Sequence, residues 1–89
     1  MNEGRRLILH DGTVIEDGEA GYSQGFLWLY ITEMTLPQAA AVFFNPAATK
    51  VIIFQYGEDE DVYRNFTECV NLSIDTDGLV SVCMKKAGE

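Results

Sequence analysis

Four consecutive acids, Glu58, Asp59, Glu60 and Asp61, stand in the stretch FQYGEDEDVYR between two segments that otherwise read as β-strand. Clustered carboxylates are the raw material of a Ca2+ or Mg2+ site, but a calcium loop of the EF-hand kind also needs alternating ligands, a glycine at its sixth position and a late bidentate glutamate. Counted from Asp75, the segment DTDG puts Gly78 fourth and Lys86 where that glutamate belongs, so the spacing fails. GEDED carries charge without convergent spacing. Its expected state is a solvated hairpin connection at the surface, not a metal site.

The remaining chemistry-bearing side chains are sparse. Cys69 and Cys83 form no C-x-x-C, and His10 is the sole histidine, so a structural zinc lacks its ligand set. With the last two strands joined through Thr76-Asp77-Gly78, Cys83 faces Asn71 and Cys69 faces Lys85. The thiols are then diagonal, about 7–8 Å apart, too far for a disulfide with Cα atoms within ~6.8 Å, and free thiols are expected. His10 flanks a tight turn, and nothing in the spacing brings it a nucleophile such as Cys69, Cys83 or Ser23, or an orienting third group. Gly18, Gly21 and Gly25 precede a strand and no Lys-Ser/Thr pair, which is not a phosphate-binding loop. No catalytic residue, metal or cofactor is assigned, and a non-enzymatic protein is expected.

Composition narrows the partners. The chain has 89 residues, enough for one domain over 1–89, with 47% hydrophobic and 11% aromatic residues, a globular balance. Its 6 basic against 14 acidic residues give a net charge of −8, which disfavours binding to phosphate backbones and leaves protein as the expected partner. The opening MNEGRRLILH lacks the apolar core of a signal peptide, and FLWLYI and AAAVFF are short of the roughly 20 residues that span a bilayer. The expectation is a protein of the bacterial cytoplasm or a virion, with neither nucleic acid nor membrane as ligand.

The elements follow from period and turn chemistry. Asp11-Gly12 between two apolar arms predicts a hairpin in which His10 pairs with Thr13, Ile8 with Ile15 and Leu9 with Val14. Residues 16 to 25 read as an acidic, glycine-rich loop, and FLWLYITE, residues 26 to 33, as a strand. Thr35 and Gln38 fit a capping box with Pro37 in the first turn, and Asn45-Pro46 ends the short helix. KVIIFQY, the long run DVYRNFTECVNLSI and LVSVCMKK complete the strands, with Val70, Leu72 and Ile74 joining Val80, Val82 and Met84 on a buried face. The fold expected is α+β: one twisted antiparallel sheet of five to six strands, with one short helix inserted between strands three and four.

One constellation rises above this background. Phe26, Trp28 and Tyr30 share one side of a strand whose other side, Leu27, Leu29 and Ile31, is equally apolar. Either the helix covers the aromatic side, or that side meets a partner, since aromatic residues are enriched where proteins associate.

Taken in order, LILHDGTVIEDG, TEMTLPQAAAVFFNP, TKVIIFQYGEDEDVY and FTECVNLSIDTDGLVSVCMKK resemble a group of small proteins encoded among the tail and structural genes of phages and prophages of Gram-positive bacteria. The resemblance spans nearly the whole chain, rests on pattern, and brings no catalytic residue. It implies a virion-associated or assembly protein, binding copies of itself or another virion protein. The rival expectation is a small acidic inhibitor that mimics DNA toward a host nucleic-acid-binding protein, which requires carboxylates arrayed along one face.

Overall fold

The computed structural model describes residues 4–87. Eight strands and two helices follow in the order β1 (Arg5–Leu9), β2 (Val14–Glu16), β3 (Glu19–Ser23), β4 (Phe26–Ile31), α1 (Leu36–Phe43), α2 (Pro46–Thr49), β5 (Val51–Tyr56), β6 (Asp59–Arg64), β7 (Glu68–Ile74) and β8 (Val80–Lys85). They form two four-stranded antiparallel sheets, the first ordered β2-β1-β5-β6 and the second β3-β4-β8-β7. This corrects the single sheet of five to six strands: the class is α+β, but the sheets are two and the helical segment lies between strands four and five.

Two local features account for the miscount. The glycine-rich segment read as a loop holds β3, closed onto β4 by a two-residue turn in which Gln24 and Gly25 both take positive φ, 55° and 86°. That is type I′ geometry, with glutamine where asparagine or aspartate is the usual signal. The long run from residue 61 to 74 is broken at Asn65, whose φ of 69° and whose N–H, donating to Lys50 O at 2.8 Å, turn the chain from one sheet into the other.

The core lies between the sheets. Leu7, Leu9, Ile15, Ile52 and Phe54 of the first meet Leu27, Leu29, Ile31, Val80, Val82 and Met84 of the second, with Ala39 and Phe43 of α1, Ala48 of α2 and Phe66 in the same buried cluster. Alternation along each strand places these residues inward. Helix α1 starts as expected, with Thr35 Oγ1 accepting from Gln38 N and Gln38 Oε1 from Thr35 N, and it rests against β7 and β8.

Register decides the details. The first hairpin closes through three residues, His10, Asp11 and Gly12, with Leu9 N donating to Thr13 O at 2.8 Å and Gly12 at φ 95°. Leu7 therefore faces Ile15 and Ile8 faces Val14, one residue away from the expected pairing. The observed register brings Leu7, Leu9 and Ile15 to one inward face; the expected one would have sent Ile15 to the opposite side from both leucines. The second Asp-Gly loop is as expected: Asp75 N donates to Leu79 O at 3.0 Å and Gly78 sits at φ 87°. Beyond it a bulge between Cys69 and Asn71 shifts the pairing, so Cys69 faces Met84 and Glu68 faces Lys85. On this bulged edge strand Val70 and Ile74, expected in the core, are 50% and 43% exposed.

Candidate protein-interaction surfaces

The aromatic residues lie on the solvent-facing side of the second sheet. Alternation along β4 sends Leu27, Leu29 and Ile31 fully inward and leaves Phe26 and Trp28 half-buried and Tyr30 38% exposed on the other side. Helix α1 does not cover them, because its buried residues Ala39 and Phe43 belong to the core between the sheets. Phe26 and Trp28 meet edge to face, 6.3 Å between centroids, an arrangement that suits the ring quadrupoles. Trp28 is paired across the sheet with Gly21 on one side and Cys83 on the other, and Tyr30 with Glu19 and Ser81. A Cβ at Gly21 would have no atom within 4 Å, so the indole stands beside open space. The result is an aromatic strip bordered by small and polar residues, an apolar centre with a wet rim.

Cys83 lies under this strip, between Trp28 and Asn71, and is 4% exposed. Burial pushes its thiol above the ordinary value, and burial does the same to Cys69, whose Sγ donates to Asn71 O at 3.6 Å. An activated nucleophile needs the opposite shift. Both cysteines are free.

The acidic stretch is not confined to a connection. Only Gly57 and Glu58 form the turn, with Gly57 at φ 63°, and Asp59, Glu60 and Asp61 belong to the edge strand β6. Alternation divides them: Asp59 and Asp61 share the side of Tyr56 and Phe54, whereas Glu60 stands beside Gln55 on the outer face. Tyr56 donates its hydroxyl to Asp61 Oδ2 at 3.2 Å, and this bond with the nearby charge raises the tyrosine pKa. Gln55 Nε2 donates to Glu60 Oε1 at 3.2 Å. Among the described residues no three His, Cys, Asp or Glu side chains group as a metal site. The second acidic turn is equally occupied with structure, since Asp75 Oδ1 accepts from Asp77 N and Leu79 N, both at 2.9 Å. His10 is exposed at its hairpin tip, and Asp11 there has its pKa lowered by accepting from Thr13 N.

A second apolar surface was not legible strand by strand. The registers align Val14, Ile8, Ile53 and Val62 in one row across all four strands of the first sheet, on its outer face. Val14 and Val62 are 48% and 41% exposed and the two isoleucines are half-buried. The adjacent row is polar, Glu16, Arg6, Gln55 and Glu60, with Arg6 Nε donating to Gln55 Oε1 at 2.9 Å.

Three of the four sheet edges discourage strand addition. β2 has 3 residues, β6 is acidic and β7 is bulged. Among the described residues no helix is long and apolar enough to cross a membrane. Comparison with family models, with curated proteins and with solved structures found no match.

Proposed function

We propose that this protein is a non-enzymatic protein–protein interaction module, a structural or assembly protein of a phage or prophage virion, from its tail region. The observation that carries the reading is the strip Phe26, Trp28 and Tyr30, held half-exposed on the outer side of a central strand while the inner side of the same strand fills the core. Aromatic side chains supply large contact area at low entropic cost, which is why they dominate association hot spots. The virion setting is supported by the resemblance of the chain to small tail-region proteins. With three of its four sheet edges blunted, the molecule offers mainly faces for association.

The DNA-mimic alternative draws no support from β6, which sends its carboxylates to both sides of the strand.

The test is a pair of variants, Trp28→Ser and Tyr30→Ser, assayed for binding to itself and to the other proteins of the same virion gene cluster. Loss of binding with an unchanged far-UV spectrum supports the reading. Full binding by folded variants would overturn it. Charge reversal of Glu58, Asp59 and Asp61 is the control: a DNA mimic would lose its partner, and this module keeps it.

A further inference from the structure

The outer face of the first sheet is self-complementary in charge. On β6, Glu60, Val62 and Arg64 point to the same side, and Val62 is the member that belongs to the row Val14, Ile8, Ile53 and Val62. Glu60 and Arg64 therefore flank that row at equal distances, about 6.8 Å along the strand, one carboxylate and one guanidinium. Among the described residues Arg64 has no ion-pair partner, in a chain with 14 acids to 6 basic residues.

We propose that this face binds the same face of a second copy, about a two-fold axis that lies along the apolar row. Such an axis keeps each strand opposite its own counterpart and exchanges the two flanks. Val62 then meets Val62 of the second copy, Ile53 meets Ile53, and Glu60 meets Arg64 twice, once in each direction. An isologous contact requires this reciprocity. Packed sheets stand about 10 Å apart, a gap that an extended glutamate and an extended arginine close together. Glu60 spends one oxygen on Gln55, and its other oxygen remains for the arginine. Arg6, held by Gln55, comes opposite the hairpin tip at His10.

Salt alone is a poor diagnostic. Each copy carries −8, so added salt relieves the general repulsion while it weakens the Glu60–Arg64 pairs. A charge-swap cycle separates the two.

Sedimentation equilibrium of the full chain, with Glu60→Arg, Arg64→Glu, the double swap and Val62→Glu, reads the dissociation constant of each. The single swaps should weaken association about tenfold or more, because like charges then face each other across the axis. The double swap should restore it, and Val62→Glu should abolish it. A wild type that stays monomeric, single swaps without effect, or a double swap that fails to restore pairing would each overturn the proposal. The swaps lie at exposed positions, so they test it even if Val62→Glu fails to fold. Trp28→Ser in the same series keeps this inference distinct from the aromatic strip: dissociation by that variant and by none of the β6 variants would sink the two-fold face and leave the other reading standing.

Discussion

The two outer faces of the molecule are both apolar at their centre, but they are built differently. On the second sheet the exposed residues run along one strand, Phe26, Trp28 and Tyr30, and adjoin Gly21, Ser81 and Asn71. On the first they run across four strands, Val14, Ile8, Ile53 and Val62, between a polar row and Arg64. A strip along a strand is large and aromatic, suited to a partner with a pocket or groove. A row across strands is flat and aliphatic, suited to another sheet. The inner neighbours differ too: Leu27, Leu29 and Ile31 on β4 are fully buried, whereas Asp61 and Tyr63 beside Val62 on β6 are half-buried.

The largest effect should appear where inner and outer side chains adjoin on β4. Leu29→Ala removes a side chain that is 0% exposed from the core and should cost about 2–5 kcal/mol in urea unfolding. Trp28→Ala should cost clearly less, since its ring lies outside the core cluster. Equal losses would erase the distinction between core and surface on that strand.

Next comes the point where the sheets join. A Cβ at Gly18 would lie 2.7 Å from Leu7 Cδ1 and 2.9 Å from Leu7 Cγ, and Leu7 is fully buried. Gly18→Ala should destabilise by roughly 1–3 kcal/mol through overpacking, without altering either outer face. A neutral result would mean that Leu7 has room to move.

A gain of up to about 1 kcal/mol is expected from Gln24→Asn, because Gln24 holds φ 55° in a type I′ turn and asparagine tolerates that region better. Thermal unfolding checks it. An unchanged midpoint would remove the turn from the account of β3.

The smallest effect is alkaline. Accepting the Tyr56 proton, Asp61 raises that tyrosine above 10.0, burial raises Tyr63, and burial raises both thiols above 9.0. Each group then binds its proton more tightly folded than unfolded, so its contribution is complete below the unfolded pKa and fades as pH rises through the folded one. Stability should fall from about pH 9 upward, and Tyr56→Phe should flatten the fall above pH 10. A variant with the wild-type slope would show that the Tyr56–Asp61 bond carries no linkage.

Sequence legibility follows the same divide between strand and sheet. Whatever depends on one segment was readable: the Thr35 capping box, the sides of β4, the Asp77-Gly78 turn. Whatever depends on pairing was not. A one-residue difference in the first hairpin loop moved Ile8 from Ile15 to Val14, and with it the outer row became visible. Gly21 hid β3, since glycine weakens a strand, yet an edge strand beside Trp28 tolerates it. Asn65 ended β6 through a positive φ that only its contact with Lys50 O makes evident. The signal for the outer row was present as single apolar residues at wet positions, Ile53 and Val62, and became a surface only once the strands were aligned.

The most direct test of the association claim is molar mass by light scattering during size-exclusion chromatography, over a wide concentration range and at two salt concentrations. A mass rising from 9.9 kDa to twice that value with concentration, and lost in Val62→Glu, is the predicted result. A constant 9.9 kDa at every concentration and both salts would contradict self-association through these faces.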